Sequence, residues 1–327
     1  MLDCIVIGGG QAGLATSYYL RKRGLDFQIL DAEPSLGAAW RHAWPSLTLF
    51  SNSASSNLPG LPMPHHDGFP PASHVIDYFT RYEQRYDLPV RRPVRVQEVT
   101  HDGERFHVTT GDERLTARTV VAATGTWSSP FIPYYPGSFA GRQWHSAVYP
   151  GPDPFRGESV AVVGAGNSGA QIAAELVLSG VDTTWFTAKT PRWMPDDVDG
   201  RVLFQRNRAR LNAMMRGEPD PGADTNLGDI VVVPPVKRAR DEGLLKSSPM
   251  FSSLDEVKAD HLIWCTGFRP ALGPFRTLLD GRTPTVEGLF LVGYGTWTGP
   301  GSATITGVSP FAKQTAGDIA KLCSPDL

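Results

Sequence analysis

Two glycine-rich turns, each set between a short apolar strand and a helix, predict an α/β chain built from two Rossmann-like dinucleotide-binding domains. In the first, an apolar run at 4–7 enters Gly8-x-Gly10-x-x-Gly13; in the second, a run at 160–163 enters Gly164-x-Gly166-x-x-Gly169. A third observation is an echo: Ala123-Thr124-Gly125 and Thr266-Gly267 each close an apolar run, where the chain would cross between domains. Two dinucleotides in one polypeptide imply electrons passing between them.

In such a turn the first glycine allows the tight bend, the second lets the backbone approach a pyrophosphate, and the third lets helix and strand pack closely. Free N–H groups at the helix start then hold the phosphates. A chain of 327 residues, 41% of them hydrophobic, suits two domains with sizeable cores. A formal charge of −2 argues against general attraction to nucleic acid or to an anionic membrane. No apolar run reaches the about 18 residues of a bilayer span. The N-terminus lacks a basic lead and reads as the first strand rather than a signal peptide. Cys4, Cys265 and Cys323 are scattered, with no Cys-x-x-Cys, so neither a redox dithiol nor a metal site is expected, and a reducing, cytoplasmic setting follows.

The first unit continues with a helix over 14–23, stopped by Gly24, and a strand over 27–30 ending in Asp31. An acid about 20 residues past the turn is placed to accept hydrogen bonds from a ribose hydroxyl; it also fits a solvated strand-end carboxylate. Gly37, Trp40 and Arg41 follow. The stretch Leu58-Pro-Gly-Leu-Pro-Met-Pro64 is too proline-rich for a helix and reads as a pocket wall or a surface connection. Val75, Ile76, Phe79 and Tyr82 form a stripe that predicts a helix over 73–86, capped by Ser73. Between 94 and 121, turns at Asp102-Gly103 and Gly111-Asp112 separate three short strands, a β-meander inserted before the end of the unit's closing strand at 119–123.

The second unit predicts a helix over 170–178, a strand over 182–187, a basic helix over 201–215, and strands at 230–233 and 261–265. The chain then returns to the first unit, with a strand at 289–292 and a terminal helix from Ala303 onward. The expected division is 1–156 with 268–327 for the first domain and 157–267 for the second.

Between the units stands Phe139-x-Gly141-x-x-x-His145-x-x-x-Tyr149. Together with both glycine turns, Gly37-x-x-Trp40-Arg41 and Ala123-Thr124-Gly125, it makes the chain resemble the flavin-containing monooxygenases, most closely their short bacterial branch, which includes monooxygenases of arsenic-resistance operons. The resemblance spans nearly the whole chain. It implies a glutathione-reductase-like topology, with FAD held by Gly8, Gly10, Gly13, Asp31, Trp40, Arg41 and Thr124. It also implies a nicotinamide cofactor held by Gly164, Gly166, Asn167, Ser168 and Gly169, and a linking role for His145 at the cofactor cleft. The reaction it implies is hydride transfer to the flavin, then reaction with O2 and delivery of one oxygen to a sulfide or amine through a C4a-hydroperoxyflavin.

Departures from the family pattern sharpen these expectations. Tyr149-Pro150 joins a monooxygenase-type Tyr to a residue found in the Baeyer–Villiger fingerprint, so ketone oxidation stays open. Where many two-dinucleotide flavoproteins place an acid toward FAD, Gly293-Tyr294-Gly295-Thr296 offers Thr296. Ser51-Asn52 matches a flavin-side Ser-Asn pair of longer members and makes Asn52 the candidate catalytic residue; it fits an ordinary turn asparagine equally well. Past the strand at 182–187 stand Lys189 and Arg192 rather than an acid, and a cation suits a 2′-phosphate. NADPH is therefore expected, with NADH also accepted, although Lys189 also fits a solvated surface position. The family is often homodimeric. An NAD(P)H oxidase or flavin reductase, and a non-catalytic dinucleotide sensor, are the rival readings.

Overall fold

The computed structural model describes residues 1–111, 113–222 and 227–323. The chain begins with β1 (Leu2–Ile7), α1 (Gln11–Lys22), β2 (Phe27–Leu30), α2 (Ala72–Arg85) and β3 (Val90–Arg91), then β4 (Glu98–His101), β5 (Phe106–Thr109) and β6 (Arg114–Ala122). It continues through β7 (Arg142–His145), β8 (Ser159–Val163), α3 (Asn167–Leu178), β9 (Asp182–Thr187), α4 (Gly200–Met215), α5 (Pro234–Asp241), β10 (Ser247–Pro249) and β11 (His261–Trp264). The last elements are β12 (Leu279–Asp280), β13 (Thr283–Pro284), β14 (Leu289–Leu291) and α6 (Ser309–Cys323).

The first sheet has the order β3-β2-β1-β6-β5-β4. Strand β6 pairs parallel with β1 along one edge and is long enough to serve two partners along the other, pairing antiparallel with β5 along its first half and parallel with β14 along its second. Alternate residues of β1 enter different cores. Cys4 and Val6 join Leu14, Tyr78 and Ala316 of the helices, whereas Ile5 and Ile7 join Val99, Phe106 and Val108 of the meander. A strand covered on both faces has no position for a polar residue, which explains its unbroken apolar run. The second sheet, β10-β9-β8-β11-β7, is wholly parallel. There Val160 and Val162 face α3, and Ala161 and Val163 face Phe251 and Trp264.

Two α/β units with an inserted meander match the expected fold, with local differences. Strand β7 hydrogen-bonds to β11, so the chain enters the second sheet ahead of residue 157. Helix α2 starts at Ala72 after Pro71 and has no side-chain cap, so Ser73 is not its cap, and Tyr78 replaces Ile76 as a buried stripe residue. Residues 230–233 are not a strand: Ile230 makes a single bridge to Trp193 and Val233 leads into α5. The terminal helix begins at Ser309, because residues 299–308 are spent on turns. Asp112, half of one expected turn, lies outside the described residues.

The two crossings between sheets lie against each other. Phe131 N–H donates to Gly267 O (2.9 Å), Arg269 N–H to Ser129 O (2.8 Å) and Ala271 N–H to Gly125 O (2.9 Å). The Arg269 guanidinium lies 4.2 Å from the centre of the Phe131 ring. The connection is therefore a hydrogen-bonded ribbon rather than two independent linkers.

Candidate functional site: two dinucleotide clefts

The two glycine turns repeat one construction. Gly8 has φ +114°, and a Cβ there would stand 2.3 Å from Ala123 O; Gly164 has φ +131°, and its Cβ would stand 2.3 Å from Cys265 O. A Cβ on Gly13 would lie 1.9 Å from Gly8 O, and one on Gly169 2.0 Å from Gly164 O. The protein itself therefore requires the first and third glycines. It does not require the second. Gly10 and Gly166 have extended backbones, with φ −84° and −96°. A Cβ on Gly10 would meet only Ala38 at 3.6 Å, and one on Gly166 nothing within 4 Å. Space withheld from side chains at that point is what a close-lying pyrophosphate needs. Neither α1 nor α3 has a side-chain cap or an acid in its first turn, so the leading N–H groups stay open to an anion.

The first turn faces a cleft of about 520 Å³. Gly8, Gly10, Asp31 and Thr124 line it, as do Glu33, Gly293 and Tyr294. Asp31 is only 4% exposed and accepts from Arg92 Nε at 2.8 Å, while both Arg92 terminal nitrogens reach Glu83 at 2.8 Å. Burial pulls the Arg92 pKa down, but the Glu83 and Asp31 carboxylates more than offset it and raise it. Asp31 is thus no solvated carboxylate: one oxygen is tied to Arg92, and the other accepts only a long 3.4 Å bond from Glu33 N–H. Thr124 Oγ donates to Ala271 O (2.8 Å) and stands 2.7 Å from Tyr294 Oη, which accepts from Thr124 N–H (3.2 Å). Burial pushes the Tyr294 phenol up to about 12. This trio binds the turn at 123–125 to both returning segments. Trp40 packs on the first core and its indole N–H reaches Gln11 at 3.4 Å, whereas Arg41 is exposed and donates to Leu36 O at 3.2 Å.

Gly13, Trp40, Arg41, Thr296 and Asn52 are not among the residues lining this cleft. Thr296 sits in the helical turn at 296–298 behind Gly295. Asn52 Oδ1 caps the next turn by accepting from Ser55 N–H at 3.0 Å, the ordinary turn role.

The second turn faces a cleft of about 290 Å³ lined by Gly164, Lys189, Arg192 and Asp229. Asp229 was not expected: it grips Arg192 through two bonds of 2.8 Å. Arg192, with a smaller contribution from Lys189, holds the Asp229 carboxyl below its usual range. Asn167 is turned away to a structural task, its Oδ1 accepting from Val231 N–H at 2.8 Å. Ser168 follows it in the first turn of α3, half-buried. The buried Trp185 indole donates to Gly164 O at 2.8 Å and fixes the turn from beneath.

The fingerprint lies alongside. A Cβ on Gly141 would meet Asp260 O at 2.1 Å, and Phe139 packs on the core beside Trp264. His145 is 6% exposed. Its Nδ1 accepts from Ala147 N–H at 3.1 Å, so Nε2 carries the hydrogen donated to Gly267 O at 3.0 Å. Both nitrogens are committed, and burial lowers the pKa, which suits a neutral link from β7 to the crossing ribbon rather than a proton carrier. Tyr149 is buried with its Oη unpartnered. All three cysteines are free and buried, with the Cys4 thiol pushed up to about 12 by burial, so none offers a ready thiolate. Among the described residues no His, Cys, Asp or Glu cluster could hold a metal, and no helix is long and apolar enough to cross a membrane.

Residues 5–282 match the family described as pyridine nucleotide-disulphide oxidoreductase. The chain is similar to the solved structure of a flavin-containing monooxygenase from Stenotrophomonas maltophilia: 44% identity, 98% of this chain and 99% of that one, TM-score 0.86. It is 30% identical to an uncharacterized CzcO-like oxidoreductase of Geobacillus kaustophilus over 98% of both chains. A Baeyer-Villiger monooxygenase of Streptomyces coelicolor is 31% identical over 64% of this chain and 42% of its own length.

Proposed function

The chain belongs to the flavin-containing monooxygenases of the pyridine nucleotide-disulphide oxidoreductase family, and from that premise we propose that it uses NADPH, and NADH less well, to insert one oxygen of O2 into a sulfide or amine. It is a flavin-dependent oxidoreductase with FAD as its resident group. Bound FAD supplies the redox chemistry, accepting hydride and activating O2. The observation that carries the reading is the repeated turn, in which the fold demands the first and third glycines and leaves the second position clear at the start of an uncapped helix.

The residues divide the work. In the first cleft, Gly8, Gly10 and Gly13 with the N–H groups of α1 bind the FAD pyrophosphate, and Asp31, oriented by Arg92, takes a ribose hydroxyl. Thr124 and Tyr294 hold the far wall in place. In the second cleft, Gly164, Gly166 and Gly169 with the start of α3 bind the nicotinamide dinucleotide. Lys189 meets the 2′-phosphate, with Asp229 limiting how far Arg192 can assist. His145 sets the position of Gly267 between the clefts. The division of labour corresponds to 1–156 with 268–327 for FAD and 157–267 for the nicotinamide, with β7 counted in the second unit. A cytoplasmic homodimer completes the proposal, supported by three reduced, buried cysteines and the habit of the family.

The test is turnover with NADPH and a thioether in air, scoring sulfoxide against hydrogen peroxide. Sulfoxide in proportion to NADPH consumed supports oxygenation. Peroxide matching NADPH, with no sulfoxide from thioethers and no oxide from amines, would make the protein an oxidase.

A further inference from the structure

We infer that a third pocket, at the seam between the two units, is a binding site for a small organic ammonium ion with an apolar body. The inference goes beyond the monooxygenase reading and does not rest on it. The pocket has a volume of about 340 Å³ and shares no lining residue with either dinucleotide cleft. One wall comes from the loop after β2, through Trp44, Ser46 and Phe69, and the other from α3 and the segment entering α5. Trp44 and Phe69 reach across to pack on the second core, so the pocket is built jointly.

Gln171, Glu175 and Leu178 face it at helical spacing from α3. Glu175 is eight residues past the helix start, about 12 Å down the axis from the phosphate-binding end. Its Oε2 is sealed from solvent and, like Tyr149 Oη, makes no well-formed hydrogen bond; Ser46 and Tyr149 are its polar neighbours and favour the charged carboxylate, but less than burial disfavours it. Burial raises the Glu175 carboxyl above its ordinary range. A half-buried carboxylate with no cation is a costly arrangement. Asp31 and Glu83, by contrast, are removed from solvent as a group with Arg92 between them.

The chemistry of the walls selects the ligand. An anion is repelled by Glu175, and a hard metal ion would need more oxygen ligands than one carboxylate provides. An alkyl or arylalkyl ammonium satisfies both parts of the pocket. Its N–H groups donate to Glu175, with Gln171 and Ser46 within the same lining. Its carbon body lies on Phe69, Leu178 and Val233, and its charge faces the Trp44 indole. A ligand there touches both units and so ties their relative position.

Benzylammonium chloride and benzyl alcohol, titrated into the full flavin-loaded chain without nicotinamide and followed by calorimetry, test this. One equivalent of benzylammonium should bind saturably, and benzyl alcohol at least about tenfold more weakly. Glu175→Gln should weaken benzylammonium by a similar factor, and Leu178→Trp, which fills the pocket but keeps the carboxylate, should abolish binding; thermal melts verify that each variant is folded. Equal binding of both probes, unchanged binding in both variants, displacement by NADP+ or no saturable binding would each overturn the inference. No step of the experiment uses reductant or O2, so its failure is separate from any failure of the monooxygenase reading.

Discussion

Beside Lys189, the Arg192 guanidinium is held by Asp229 through two bonds of 2.8 Å, so the second cleft offers a cation and a neutralised pair rather than two free cations. Lys189→Ala should therefore raise KM for NADPH several-fold and leave KM for NADH nearly unchanged; equal effects would remove Lys189 from 2′-phosphate binding. Asp229→Asn should act in the opposite direction and lower KM for NADPH relative to NADH, as steady-state kinetics with both cofactors would reveal. His145 bears on pH. Burial lowers its pKa, so the unfolded chain takes up a proton more readily than the folded one. Stability is then unaffected well above the ordinary histidine value of about 6.5 and falls as pH drops through it toward the lowered folded value, by at most about 1.4 kcal/mol per pH unit. His145→Gln retains a donor for Gly267 and removes the titration, so its Tm should fall less between about pH 7 and about pH 5 than that of the wild type. At this scale the sequence was informative where a role depends on backbone, as for Gly8 and Gly164, and poor where it depends on a distant partner. Nothing near Arg192 announces Asp229, 37 residues on, and nothing near Asp31 announces Arg92, 61 residues on.

Within each strand–turn–helix element, the three glycines should respond differently to one added methyl. Gly166→Ala meets no neighbour and an extended backbone, so Tm should hold or rise by the equivalent of about 0.4–1 kcal/mol. KM for NADPH should nevertheless rise by about tenfold or more, because the methyl occupies the place of the pyrophosphate. Gly169→Ala drives a methyl into Gly164 O and should cost roughly 3 kcal/mol or more of stability. Melting curves and kinetics of the two variants together check the pair; a Gly166→Ala protein with unchanged NADPH kinetics would contradict it. The strands β1, β8 and β11 were legible because burial on both faces leaves an apolar run with no interruption. Both glycine-turn helices start earlier than periodicity indicates, at Gln11 and Asn167, since their first turns carry no apolar stripe. Short strands such as β3, β7 and β10 have no pattern of their own and exist because a neighbour supplies their hydrogen bonds.

Across the whole molecule, the crossing ribbon and the Thr124–Tyr294–Ala271 trio connect the clefts, and the echo of Thr124-Gly125 in Thr266-Gly267 marked that ribbon in advance. Thr124→Val removes the hydroxyl that both accepts and donates there, and should cost about 1–3 kcal/mol. It should also speed FAD loss on dilution, measurable by the fluorescence of released flavin. The loop from Trp44 to Phe69 was not legible: its proline-rich part fits a surface strap or a pocket wall equally well. In the structure its Leu58 and Met63 are buried, and the Tyr78 and Tyr82 hydroxyls hold the carbonyls of Leu61 and Pro59. The central claim is that the first unit lodges FAD and the second presents the reductant to it. Anaerobic stopped-flow mixing of the yellow protein with NADPH tests it most directly. The account predicts that the flavin band bleaches at a rate that saturates with NADPH, and that Gly166→Ala weakens this dependence while keeping its flavin; a colourless protein that takes up no FAD, or a bound flavin that NADPH fails to bleach, would contradict it.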